Sequence, residues 1–384
     1  MKSRKIYLDH NATTPIDERV LDAMLPCFRE RFGNASSSQH VYGWDAEEAV
    51  EMAREQVATL VGIQPKEIYF TSGATEAINI VLQGYCQKNR HRGNHIITCT
   101  TEHKAVLDTC AHLEAQGFEV SYLEVNQHGN IDLYQLKDAI KENTLLVCLM
   151  HANNETGVIH PLEEIAAIAA ENKVAFFTDA TQSAGKIPLN LNAGDVDFAA
   201  FSAHKLYGPK GVGAIYINRE LRAKINPLFF GGGQEKYLRP GTLNVPGIVG
   251  FGKACELCRE EMAADAEKLG SFIQIIEKEI TGKAEVRVNG ASANRLPHMT
   301  NLTFKNIEGS NLVRSLKNLA VSQGSACTSL TLKPSHVLLA MGHSPEQALA
   351  SIRIGFGRPT TEEEVIFAIA EIIKAVELLK LTTS

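Results

Sequence analysis

Between Glu67 and Ile217, short apolar runs alternate with amphipathic stretches, and this alternation limits the fold more than any other feature of the chain. Ile68-Tyr69-Phe70, His95 to Cys99, Phe118 to Val125, Leu145 to Met150, Val174 to Thr178, Phe198 to Phe201 and Val212 to Ile217 predict strands. Thr75 to Lys88, Lys104 to Gln116, Leu133 to Lys141 and Pro161 to Glu171 predict helices. Strands this uniformly apolar must be buried on both faces, and alternation with helices supplies the cover. The expectation is an α/β unit with a largely parallel sheet. Ligands of such sheets gather at the carboxyl ends of the strands, so the polar residues just after each strand carry the functional reading.

After Gly231-Gly232-Gly233 the pattern changes. Val249 to Ile280 reads as one long helix, Val286 to Val288, Leu302 to Phe304 and Ile352 to Ile354 as strands. The last helix opens with capping-box spacing between Thr360 and Glu363, and Val365, Ile369, Ile372, Val376 and Leu379 form one apolar stripe. This predicts a smaller α+β unit. A length of 384 residues is enough for two domains, each with its own core.

With 44% hydrophobic and 21% charged residues the composition excludes a disordered or low-complexity chain. The net charge of −6 gives no global footprint for nucleic acid or an anionic membrane. No apolar run approaches the roughly 20 residues of a spanning helix, and the basic N-terminus lacks a signal-type apolar segment. A soluble, cytoplasmic protein is expected. The eight cysteines are scattered. Cys255 and Cys258 have CxxC spacing but no partner pair, so they read as buried thiols on one helix face and no metal is expected.

Five segments follow predicted strands. Lys205, in Ser202-Ala203-His204-Lys205-Leu206-Tyr207-Gly208, is either a solvated charge or, if partly buried, an amine suited to imine formation. Asp179, in Thr178-Asp179-Ala180-Thr181-Gln182, either caps a turn or is a buried carboxylate in need of a cation such as a pyridinium nitrogen. Thr71-Ser72-Gly73-Ala74-Thr75-Glu76 offers backbone N–H groups and hydroxyls to an anion at a helix start. Thr101-Glu102-His103-Lys104 and His151-Ala152-Asn153-Asn154-Glu155 complete the set. Each is weak alone; their coincidence at one sheet edge is the signal.

Together with Tyr7-Leu8-Asp9-His10-Asn11-Ala12-Thr13-Thr14-Pro15 and Gly324-Ser325-Ala326-Cys327-Thr328-Ser329, these segments resemble the NifS/IscS-type cysteine desulfurases, pyridoxal-phosphate enzymes of the class V aminotransferase family. The resemblance runs from Tyr7 to about Glu364. It implies fold type I, with a large cofactor-binding domain over 15–250, a mostly parallel mixed sheet covered by helices. A smaller α+β domain, over 1–14 and 251–384, would carry the Cys327 loop. Lys205 then looks like the lysine that holds pyridoxal 5'-phosphate covalently. Asp179 would face the pyridine nitrogen, Gln182 the phenolic oxygen, and His103 would stack on the ring. Ala74, Thr75, Ser202 and His204 would hold the phosphate, and Thr242 would reach the phosphate of a second subunit, implying a homodimer. Asn11 and Asn154 would line the site, and Arg353 would clamp the substrate carboxylate, a task the planar guanidinium suits.

Cys327 looks like the nucleophile that takes sulfur from L-cysteine, leaving L-alanine, with Lys205 and His103 as acid–base groups. The implied product is a persulfide passed to an iron–sulfur scaffold or another acceptor protein. Pro240 and Gln323 depart from the serines usual at these positions in the family. An aminotransferase has no need of Cys327; a selenocysteine lyase would share the same residues. A thiol hydrolase using Cys327 with His103 or His336, or a non-catalytic scaffold, leaves Lys205 and Asp179 without a purpose.

Overall fold

A computed structural model describes residues 5–193, 195–324 and 333–383. Its centre is a seven-stranded sheet built from β2 (Ile68–Thr71), β3 (His95–Cys99), β4 (Glu119–Leu123), β5 (Thr144–Cys148), β6 (Ala175–Asp179), β7 (Phe198–Ser202) and β8 (Gly213–Ile217); β1 (Ile6–Tyr7) lies elsewhere. The order is β2-β8-β7-β6-β5-β3-β4. Only β8 runs against its neighbours, β2 and β7; the other pairings are parallel, so the sheet is mixed but mostly parallel.

The apolar runs explain the layers. Successive side chains of a strand point to opposite faces. Phe176, Ala199 and Phe201 accordingly enter one core with helices Val41–Val61 and Leu162–Glu171. Phe177, Phe198 and Ala200 enter the other with Ile78 to Cys86 and Val106 to Leu113. Every residue of β2, β3, β5, β6, β7 and β8 is buried, while β4 at the edge is only partly covered. Residues Ile80–Tyr85 form a π-helical turn within the expected Thr75 to Lys88 helix.

The second unit contains an antiparallel sheet of β9 (Val286–Val288), β10 (Met299–Phe304) and β12 (Ser351–Gly355), while β11 (Leu319–Ala320) pairs in parallel with β1. The helix Val245–Thr281 is longer than its apolar pattern suggests and serves both units. Val245 to Cys258 pack in the large-sheet core, and Leu269 to Ile280 pack with Val365, Ile369, Ile372 and Val376 of the terminal helix. The cap of that terminal helix differs from expectation by one residue. Thr361 and Glu364 exchange the capping bonds, whereas the Thr360 hydroxyl accepts from Gly357 N at 3.0 Å. Two adjacent threonines each have a glutamate three residues on, and spacing alone does not separate them. Cys255 and Cys258 are buried on the Val245–Thr281 helix, with the Cys258 thiol 3.7 Å from Leu206 O. No described helix is long and apolar enough to cross a membrane.

Sequence periodicity gives no hint of the turn at Glu235, Lys236 and Tyr237, three consecutive non-glycine residues with φ of 45°, 54° and 64°. Such a conformation costs about 1–2 kcal/mol per residue and persists only if the surroundings impose it. Here the buried Glu235 carboxylate accepts from Arg54 Nη1 and Nη2 at 2.9 and 2.8 Å and from Phe70 N at 2.8 Å. Removing one partner of a buried pair leaves the other charge uncompensated, at about 3–5 kcal/mol. Glu235→Gln is therefore expected to destabilise the protein by about that amount in denaturant unfolding, and adding Arg54→Met should restore part of it. A Glu235→Gln protein as stable as the parent would show that the pair does not hold the turn.

Candidate active site

A cavity of about 500 Å³ lies at the carboxyl edge of the large sheet. Its walls come from the residues after five strands: Ser72 to Glu76 after β2, His103 after β3, Met150, Ala152 and Asn154 after β5, Asp179, Thr181 and Gln182 from β6, and Ser202, His204 and Lys205 from β7. Asn11, Ala12 and Thr13 close it from the N-terminal segment, and Arg353 of β12 enters from the second unit.

Close packing fixes this edge. A Cβ at Gly213 would stand 2.4 Å from Phe201 O and 2.6 Å from Gly73 Cα, so glycine there lets the Ser72-Gly73 loop lie directly on β8. Lys205 Nζ donates to the carbonyl oxygens of Asn11 and Ala12, the latter at 2.7 Å. Gln182 Nε2 donates to the same Asn11 carbonyl at 3.1 Å, and Gln182 Oε1 accepts from Asn11 Nδ2 at 3.2 Å. Asp179, buried at the end of β6, accepts from Thr181 N at 2.9 Å. Arg353, with its side chain 1% exposed, donates to Asp9 Oδ1 at 2.7 Å and to Asn154 O at 2.8 Å.

Burial sets the charges. His103 is held below the usual histidine range, first by desolvation and then by Lys205, with Asp179 pulling the other way. Its Nδ1 accepts from Ala105 N at 3.1 Å, so the neutral ring carries its proton on Nε2. His204 is lowered to about 4 by burial and by Lys205 and Lys210. Glu102 is pushed well above the carboxylate range by complete burial and by Asp179, although Met150 N donates to it at 2.6 Å. Its second oxygen finds no partner among the described residues.

Eleven of the sequence-predicted site residues meet in this one cavity: Asn11, Ala74, Thr75, His103, Asn154, Asp179, Gln182, Ser202, His204, Lys205 and Arg353. Thr242 does not; it is exposed on the segment after Arg239. Cys327 lies outside the described residues. Met150, Ala152 and Lys210 also line the cavity, though sequence patterns assign none of them a role in the site. Met150 and Ala152 resemble ordinary core residues there, and Lys210 an ordinary surface charge.

The aminotransferase class-V profile matches residues 6–366. The chain belongs to the class-V aminotransferase family. It is 52% identical over 376 residues to "Cysteine desulfurase IscS" of Anaeromyxobacter sp. (strain Fw109-5), covering 98% of this chain and 93% of that one. A solved "NifS-like protein" superposes with a TM-score of 0.91 at 40% identity, over 98% of this chain and 100% of the other. "SspA in complex with cysteine" superposes at 0.82 with 37% identity, over 91% and 98%.

The cofactor of these class-V enzymes is pyridoxal phosphate, and the donor set here fits it. An amine, a buried carboxylate and the hydroxyls of Thr75 and Ser202 face one cavity. The buried Thr181 hydroxyl in the same wall has no hydrogen-bond partner among the described residues, an open donor for an acceptor oxygen.

Glu102 gives this site a pH signature. With its folded-state pKa raised above the unfolded value, its contribution to stability is complete below about 4.5 and is lost as pH rises toward the folded value. The neutral isostere escapes this loss. Glu102→Gln is expected to gain stability relative to the parent on going from pH 4 to pH 8. Equal stabilities at both pH values, by denaturant unfolding, would show that the buried carboxyl is ionised.

Proposed function

We propose that this chain is a cysteine desulfurase that converts L-cysteine to L-alanine and carries the sulfur away as a persulfide on Cys327. The observation that carries the reading is the meeting of the Lys205 amine, the buried Asp179 carboxylate and the Arg353 guanidinium at one cavity. An amine and a carboxylate so placed suit a pyridoxal group, and a buried guanidinium suits an amino-acid carboxylate.

Bound in this cavity, pyridoxal phosphate supplies an electron sink for the substrate α-carbon. The residues divide the remaining work. Asp179, buried at the end of β6, would face the ring nitrogen, and a carboxylate there would favour its protonated form. Ala74, Thr75, Ser202 and His204 would hold the phosphate, and Gln182 the phenolic oxygen. Lys205, within reach of the Asn11 and Ala12 carbonyls, is the amine that binds the cofactor and moves a proton at the α-carbon. His103, lowered by burial and carrying its proton on Nε2, would stack on the ring and serve as the second acid–base group. Asn11, Asn154 and Arg353 orient the amino acid. The Cys327 thiolate attacks the substrate sulfur, the Cβ–Sγ bond breaks, and its electrons remain with the carbon fragment, which takes up a proton and is released as alanine.

The same reading places the domain division at 15–250 against 1–14 with 251–384, the single helix Val245–Thr281 crossing it. Support comes from the two separate cores that this helix joins. The exposure of Thr242 accords with a role at the site of a second subunit, hence a homodimer. The sulfur acceptor is a protein, an iron–sulfur scaffold being the first choice, and the setting is cytoplasmic.

Alanine release from L-cysteine with a thiol reductant tests this directly. Lys205→Ala and Cys327→Ser should both abolish it, and only the lysine variant should lose the imine absorbance of the bound cofactor. Full desulfuration by Cys327→Ser would remove the thiol from the mechanism.

A further inference from the structure

The guanidinium of Arg353 is partly committed before any substrate arrives. Nη2 donates to Asp9 Oδ1 at 2.7 Å and Nη1 to Asn154 O at 2.8 Å. Nε is buried and has no partner among the described residues. Asp9 is in turn held: its second oxygen accepts from Ser322 Oγ at 2.8 Å, and Ser322 is bridged to Arg353 through the backbone, with Arg353 N donating to Ser322 O at 2.6 Å. Asp9 itself bridges to Gly355 at the end of β12. Both carboxylate oxygens are therefore used, Oδ1 by the guanidinium and Oδ2 by the Ser322 hydroxyl.

A guanidinium has five N–H donors, and an unrestrained one meets a carboxylate in several orientations. Asp9 removes most of that freedom and balances much of the charge. The N–H groups that remain, Nε among them, then recognise an anion by geometry more than by net charge. We propose that Asp9 is a positioning and specificity-determining residue for the α-carboxylate of the substrate, acting through Arg353 with Ser322 as its support. This rests on the reading of Arg353 as the carboxylate clamp.

The test uses the holoenzyme. Asp9→Asn should raise the KM for L-cysteine about tenfold, the weight of one charge-assisted hydrogen bond, and leave kcat within about twofold. Titration with L-alanine and L-alaninamide, followed by the cofactor absorbance, should show weaker binding of alanine only. Asp9→Glu should restore part of the loss, and Ser322→Ala should shift both readouts in the same direction by less, which keeps the test open if Asp9→Asn folds poorly. Equal weakening of alanine and alaninamide, or an unchanged KM, overturns the proposal. If Arg353→Ala loses the preference for alanine over alaninamide while Asp9→Asn keeps it, the role of Asp9 alone fails. If Arg353→Ala also keeps it, the reading of Arg353 fails with it.

Discussion

Lys205 meets the carbonyl oxygens of Asn11 and Ala12, and the site depends on this contact. The lysine stands just past β7 in the large sheet, while the two carbonyls belong to a segment whose preceding strand, β1, pairs with β11 in the second unit. Thr14 reinforces the joint, its N–H and hydroxyl both donating to His204 O. A long flexible amine loses much rotamer freedom when it is held, and two charge-assisted bonds offset that cost. The same Asn11 carbonyl receives Gln182 Nε2, so one residue of the N-terminal segment sets the direction of two cavity side chains.

The electrostatics around that joint follow from desolvation. Glu102, fully buried, has its carboxyl pushed well above the usual range, first by the loss of water and then by Asp179. Histidines resolve the same pressure by losing their protons: His10, His151 and His160 are all lowered to about 4, with burial as the first cause. Two buried guanidinium groups have counter-charges. Arg353 has Asp9, and Arg54 has Glu235.

Much of this was legible in the sequence because it is local. Apolar runs of about five residues between helical patterns specified the strands, and Asp179, Ser202 and Lys205 lie at or next to strand ends. Long-range pairing was not legible. Nothing near Asn11 announces a partner 194 residues away, and nothing near Asp9 announces Arg353, 344 residues away. The upward shift of the Glu102 carboxyl is a consequence of tertiary burial, invisible in Thr101-Glu102-His103. The turn at Glu235 to Tyr237 escaped because a left-handed run has no periodic signature and is held by Arg54, a residue that reads as an ordinary helix surface charge.

That turn completes the argument about the cavity. It leads into Arg239, whose Nε donates to Glu76 Oε1 at 2.8 Å, while Glu76 Oε2 accepts from Ser72 N at 2.6 Å. Burial opposes the Glu76 charge, but Arg239 and Ser72 outweigh it and keep the carboxylate ionised below its usual range. A carboxylate that stood alone beside the Thr75 and Ser202 hydroxyls would repel any anion that met them. Paired with Arg239, it becomes a neutral clamp that fixes the Ser72-Gly73 loop on β8 and leaves the Thr75 and Ser202 hydroxyls facing the cavity. The strained turn, the buried Arg54–Glu235 pair and the loop after β2 are thus linked by contacts, and together they hold the Thr75 and Ser202 hydroxyls at the cavity without an unpaired carboxylate beside them.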